Sequence, residues 1–307
     1  MKECSLENAT FYVIGDRTMN FGFKPNQIIN DRYKLVDKLL AGGMGVVWTA
    51  VDMKNPEFVV AIKMFHRISH RTFCFEQRSR EMQKLAACCP FLLPVHETGN
   101  VEMNDLGNFG FYTMNYCSRG NLRGEIGSGG RAEFSPASFK WLSQVAHALD
   151  YAHSQGFWHF NVKPDNILYS DCGCAWLSDF GGLYYMPLFE ENEEIDAEID
   201  PLGWRRTEQL PYIFPILLEP ITKNHTRADQ FALAVTLFEF ISGEPPYSGD
   251  TIFDYLESQA LGHQKSLEAE DWITERASAA VDRALALEPD QQFESCSEFA
   301  KEFIEGI

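Results

Sequence analysis

An α+β chain is what this sequence predicts, with strands concentrated in the first third and helices in the remainder. Three observations carry that expectation. The stretch YKLVDKLLAGGMGVVWTAVD (33–52) reads as a strand, a glycine turn and a returning strand whose apolar residues alternate. The run VVAIKMF (59–65) is a further hydrophobic strand. Much later, Phe231 to Ile241 is apolar all round apart from Thr236 and Glu239, as in a helix enclosed by a large core.

Length and composition narrow the class. At 307 residues the chain accommodates one enzyme-sized fold and little else, and its 45% hydrophobic content supplies a core that a disordered chain lacks. No stretch of 18 or more apolar residues exists, so no membrane span is expected. MKECSLENAT carries acids and polar residues where a secretory signal would be apolar, and a cytoplasmic location is the expectation. The net charge of −18, from 26 basic and 44 acidic residues, argues against nucleic acid and anionic membranes as partners. It favours a protein partner, and a basic one electrostatically. The eight cysteines are scattered, with free thiols the default; Cys88-Cys89 and Cys172-x-Cys174 lack a second pair at zinc-like spacing.

The densest run of chemistry is HFNVKPDNIL (159–168), followed by SDFGG (178–182). Ahead of it, the glycine turn after residue 40 would let backbone N–H groups approach a phosphate with no side chain in the way. Lys63 lies on the hydrophobic strand, and 18 residues on Glu81 falls in RSREMQKLAA, which has helical spacing. In this order, with RADQFALAVTLFEFISGEPPYSG (227–249) behind them, these parts resemble the protein kinases. GGMG, PYSG and RALALEPDQQFESCSEFAKEF give the flavour of the bacterial Ser/Thr type, over about residues 31–306. The resemblance implies a two-lobed α+β fold: an N-terminal extension (1–30), a small β-rich lobe with one main helix (31–114), a hinge (115–118) and a large, mostly helical lobe (119–307). The activation segment would run from 179 to 215.

The resemblance also implies ATP and Mg as cofactors. Gly42, Gly43 and Gly45 would cradle phosphates, although Leu40 replaces the first glycine of the family's loop. Val47, Ala61, Leu168, the gatekeeper Met114 and the hinge residues Asn115 and Cys117 would complete the nucleotide pocket. Lys63 would grip the α- and β-phosphates, Glu81 would pair with Lys63, and Asn166 with Asp179 would hold the metal. Lys163 would steady the moving phosphoryl. The departure is Asn161, which stands where the family has its catalytic Asp. An amide can orient a hydroxyl but cannot take its proton, and such general-base help is worth ~10²–10⁴ in rate. A pseudokinase that binds Mg-ATP and serves as a nucleotide-dependent regulator or scaffold is therefore the preferred expectation. The alternatives are a slow Ser/Thr kinase, transfer of another part of ATP, or a scaffold without nucleotide, to which Leu40 points. Asp165, four residues on, is not expected to replace the base.

Other departures point the same way. Phe160 replaces the arginine that many kinases pair with an activation-loop phosphate. Overlaying QLPYIFPI (209–216) on the family pattern puts Gln209 at a supporting threonine and Ile216 at a buried glutamate, and Gln292 replaces that glutamate's arginine partner. With both charges gone, a settled alternative packing is expected. Seven of the eleven positions 190–200 are acidic, either a solvated loop or a negative arm that docks on a basic partner or covers the substrate groove. FYVIG (11–15) could add a strand, 16–30 reads as an irregular connector, and 124–131 reads as a glycine-rich turn. Cys117 at the hinge is expected to be packed, yet offers a handle for covalent probes.

Overall fold

The computed structural model describes residues 22–42, 45–66, 72–103, 107–126, 134–180, 207–214, 225–249, 252–262, 265–267 and 272–307. FYVIG, Gly43, Ile216 and the acidic run 190–200 fall outside them.

The first part is a six-stranded antiparallel sheet: β1 (Ile28–Ile29), β2 (Tyr33–Gly42), β3 (Gly45–Asp52), β4 (Val59–His66), β5 (Val95–Met103) and β6 (Gly107–Asn115). The strand order is β1-β2-β3-β4-β6-β5, and helix α1 (Thr72–Cys88) connects β4 to β5. Alternation along β3 sorts the faces. Val46, Trp48 and Ala50 join Ile62, Met64, Phe109 and Phe111 in a buried upper core. Val47 lies opposite Lys63 and Ala61 opposite Met114, so these four share the other face. A Gly42–Gly45 pair closes the hairpin. At Gly45, φ is +137° and a Cβ would stand 2.3 Å from the Met64 carbonyl oxygen, so only glycine fits there.

One expectation needs correcting. The connector 16–30 is not wholly irregular, because Ile28–Ile29 pairs with Tyr33 and Lys34. Phe23 also packs edge-on against Phe109 at 5.0 Å. Two buried apolar side chains, Phe23 and Ile29, draw this segment onto the sheet.

The second part is mostly helical: α2 (Lys140–Ser154), α3 (His225–Ser242), α4 (Ile252–Ala260), α5 (Glu275–Ala284) and α6 (Cys296–Gly306). A small hairpin of β7 (Ile167–Tyr169) and β8 (Ala175–Leu177) lies between α2 and α3. As expected, α3 is enclosed on all sides, with every residue from Ala228 to Glu239 buried. One continuous apolar core joins α2, α3, α5 and α6 and extends to Met82, Leu85 and Met114 of the first part. Gln292 is buried and donates from Nε2 to the carbonyls of Ala286 (2.9 Å) and Ala284 (3.3 Å). It thus serves the end of α5 where an ion pair is absent. Among the described residues, no helix is long and apolar enough to cross a membrane.

Candidate functional site: a cleft between the two lobes

The segment 159–163 is held from below by one residue of α3. The Asp229 carboxylate accepts the His159 N–H at 2.8 Å and the Phe160 N–H at 2.7 Å, and meets His153 Nε2 at 2.8 Å. Asp229 is fully buried. Burial works to raise its carboxyl, but the bond and charge of His153 and the backbone donors outweigh this and hold it below the usual range. His159 is also fully buried, and its Nε2 bonds the Ser178 carbonyl at 2.9 Å. Its Nδ1 then accepts the Asn161 N–H at 3.2 Å, which fixes one neutral tautomer. Burial pushes this imidazole below its ordinary value, in keeping with neutrality. Phe160 adopts φ +54°, a left-handed conformation costly for a bulky residue. The Asp229 bond holds it there, and its ring packs edge-on against His225 at 5.6 Å.

Above that loop the two lobes meet in an ion pair. Lys63 Nζ lies 2.5 Å from Asp179 Oδ1, across 116 positions of sequence. Asn161 Nδ2 stands 3.5 Å from the other oxygen, Oδ2. Burial acts to raise the Asp179 carboxyl, but the charge and hydrogen bond of the Lys63 ammonium outweigh it, with smaller help from Lys163, and the net is a lowered pKa. Asp179 itself has φ +60°. Asn166 ends the 3-10 turn Pro164–Asn166 and donates from Nδ2 to the Asn161 carbonyl at 2.7 Å. With its amide nitrogen committed, the oxygen is what Asn166 can offer to a ligand.

Lys63, Asn161, Asn166 and Asp179 therefore converge, and Val47 and Ala61 lie on the same sheet face as Lys63. Glu81 is half-buried on α1, and the carboxylate that meets Lys63 is that of Asp179. Met114 is buried and helps line a small apolar pocket with Met82, Leu93, Tyr112 and Phe180, Asp179 being the charge in its wall. Asn115 Oδ1 meets His96 Nε2 at 2.6 Å, and Leu168 pairs with Trp176 across the small hairpin. Cys117 is half-buried, and burial pushes its thiol up to about 12, so little thiolate is available to a covalent probe.

A protein kinase domain model matches residues 33–307. The chain belongs to the protein kinase family. Its relatives include the serine/threonine-protein kinases PknH and PknE of Mycobacterium tuberculosis. PknH is 28% identical over 278 residues, covering 87% of this chain and 41% of PknH; PknE is 27% identical over 274 residues, covering 87% and 45%. PknB of Mycolicibacterium smegmatis is 28% identical over 285 residues, covering 91% of this chain and 43% of PknB. The chain thus spans less than half the length of these curated relatives.

Within this kinase fold, one network was missed by sequence reasoning. Arg123, in the 3-10 turn Leu122–Gly124, bonds the buried carboxylate of Glu239 and donates to Tyr212 Oη at 2.7 Å. Tyr212 in turn bonds Glu239, and the same guanidinium lies 3.2 Å from Asp165 Oδ2. Asp165 is thereby turned to Arg123. The sequence signal was Glu239 itself, a charge inside the apolar run 231–241 that had to find a partner.

Proposed function

We propose that this chain is a nucleotide-binding pseudokinase: it takes up Mg-ATP in the cleft and uses the bound state to present a surface to a protein partner. The observation that carries this reading is the Lys63–Asp179 pair with an amide, Asn161, beside it. Lys63 would meet phosphate oxygens. Asp179 with the oxygen of Asn166 is a hard oxygen donor set of the kind that suits Mg. When bound, the metal would neutralise phosphate charge. Asn161 would orient a hydroxyl without taking its proton, so binding would outlive turnover. The chain's net charge of −18 makes a basic protein the favoured partner, and a cytoplasmic place of action fits the free thiols among the described residues.

The test pairs thermal shift with phosphoryl transfer on the purified chain. With Mg-ATP at ~100 times its dissociation constant, stabilisation of about 2.7 kcal/mol is expected. Transfer of the γ-phosphate to a basic substrate should be absent and should emerge in Asn161→Asp, by a factor of ~10²–10⁴ over the unaltered chain. No shift where a control kinase responds would sink the proposal. Transfer by the unaltered chain, lost in Lys63→Ala and Asp179→Ala, would make it a slow enzyme instead.

A further inference from the structure

The turn between β7 and β8 carries chemistry that the nucleotide site does not use. Tyr169 and Ala175 are the last paired residues, and five residues, Ser170 to Cys174, make the connection. The Ser170 N–H bonds the Cys174 carbonyl at 2.9 Å and the Gly173 N–H bonds the Ser170 carbonyl at 2.8 Å, while Gly173 takes φ +80°. This tight turn leaves one residue, Gly173, between the two cysteines, and the Ser170 hydroxyl touches both of them. Ser170 Oγ accepts the Cys174 N–H at 2.9 Å and lies 3.1 Å from Cys172 Sγ, so its own proton is free to point at that sulfur. Cys172 is exposed and Cys174 half-buried. We propose that Cys172 and Cys174 form a peroxide-oxidised dithiol site that closes to a disulfide within this turn.

The division of labour follows from the geometry. The Ser170 hydroxyl, then the Cys174 N–H and thiol, hold the Cys172 thiol down to about 7, whereas burial raises Cys89, Cys117 and Cys296. Cys172 sulfur, as thiolate, attacks a peroxide oxygen; the O–O bond breaks and the departing oxygen takes a proton, leaving a sulfenic acid. Cys174 sulfur then attacks Cys172 sulfur, the S–O bond breaks, and the oxygen leaves as water with the Cys174 proton. Two thiols lose two electrons and the peroxide gains them. The gain in the first step is modest. Lowering a thiol from about 8.5 to about 7 raises its thiolate fraction at pH 7 by ~16-fold, while lower basicity costs ~5-fold in nucleophilicity, a net factor of about three. The adjacent resolving thiol is what sets this pair apart. Its turn is fastened to the end of the hinge: Ser118 Oγ bonds Asp171 Oδ1 at 3.0 Å, Arg119 Nη1 bonds the Asp171 carbonyl at 3.4 Å, and the Arg119 guanidinium stands over Gly173. The proposal is independent of whether the cleft holds Mg-ATP.

The test treats the reduced full chain with stoichiometric hydrogen peroxide, blocks remaining thiols and maps the peptides by mass spectrometry. A 172–174 disulfide reversed by dithiothreitol is expected, forming before the exposed Cys88 is oxidised. Cys174→Ser should leave a sulfenic acid at Cys172 that dimedone traps, and Cys172→Ser should leave Cys174 reduced. Oxidation of Cys88 first, a disulfide formed elsewhere, or Cys174 oxidised equally fast in Cys172→Ser would each overturn the proposal.

Discussion

Two aspartates, one under the cleft and one inside it, are satisfied to different degrees. An ionised carboxylate offers about four lone-pair sites. Asp229 fills three of them at 2.7–2.8 Å, with two backbone N–H groups and an imidazole, in full burial. Asp179 has one ammonium at 2.5 Å and one amide at the 3.5 Å limit, and it keeps partial exposure. The frame beneath the loop is complete without any ligand, whereas the group above it retains capacity to bind one. On the reading proposed above, a chain with Asn161 in place of the base and this contrast intact would position a ligand without reacting with it.

Removing the complete partner should cost most. Asp229→Ala strips three buried donors of their acceptor, and we expect a loss of about 3–5 kcal/mol in urea unfolding. A loss under ~1 kcal/mol would mean that the 159–163 loop is held by its rings instead. Asp179→Asn should cost less, about 1–3 kcal/mol, because the cleft admits water to Lys63, yet it should abolish the thermal shift with Mg-ATP. If that shift survived, Asp179 would not be the metal-holding group.

Acid should separate the two regions next. His159 is lowered by burial, so the unfolded chain takes up its proton first; stability is full above about pH 6.5 and falls below it, by at most ~1.4 kcal/mol per pH unit. The carboxyls of Asp179 and Asp229 are also lowered, and their contribution is present above about pH 4 and lost as pH falls further. Unfolding midpoints from pH 8 to 2 should therefore decline in two stages, and a flat profile between pH 6.5 and 5 would contradict a neutral, buried His159. The smallest effect is expected at Phe160→Asn, where relief of the left-handed strain, about 1 kcal/mol, offsets the lost ring contact with His225. A loss above ~2 kcal/mol would shift credit from Asp229 to that ring.

The sequence was legible where chemistry is local. The spacing within 159–168 and the Asp-Phe-Gly at 179–181 marked the loop, and the apolar runs at 33–52 and 59–65 marked the strands that carry Val47, Ala61 and Lys63. The enclosed α3 was legible too, because a helix apolar all round leaves no other place for it. What escaped were polar pairings between residues far apart in the chain. Arg123 meets Glu239 across 116 positions, and no periodicity encodes that. The small apolar anchors Phe23 and Ile29 escaped because two side chains within a polar stretch make no pattern. The partner of Lys63 depends on where the lobes come to rest, which motif spacing does not specify.

Gln292 has a consequence for how the large lobe comes apart. An ion pair would have bound this position to a distant segment and made the two unfold together. The amide instead spends its donors on Ala284 and Ala286, eight and six positions away. The coupling of α5 and α6 to the rest of the lobe therefore falls to Asp150, which accepts the Cys296 and Ser297 N–H groups at 2.9 Å, and to Gln230, which bonds Phe293 at 3.0 Å, so Asp150→Ala should let the amides of α6 exchange with solvent sooner than those of α3.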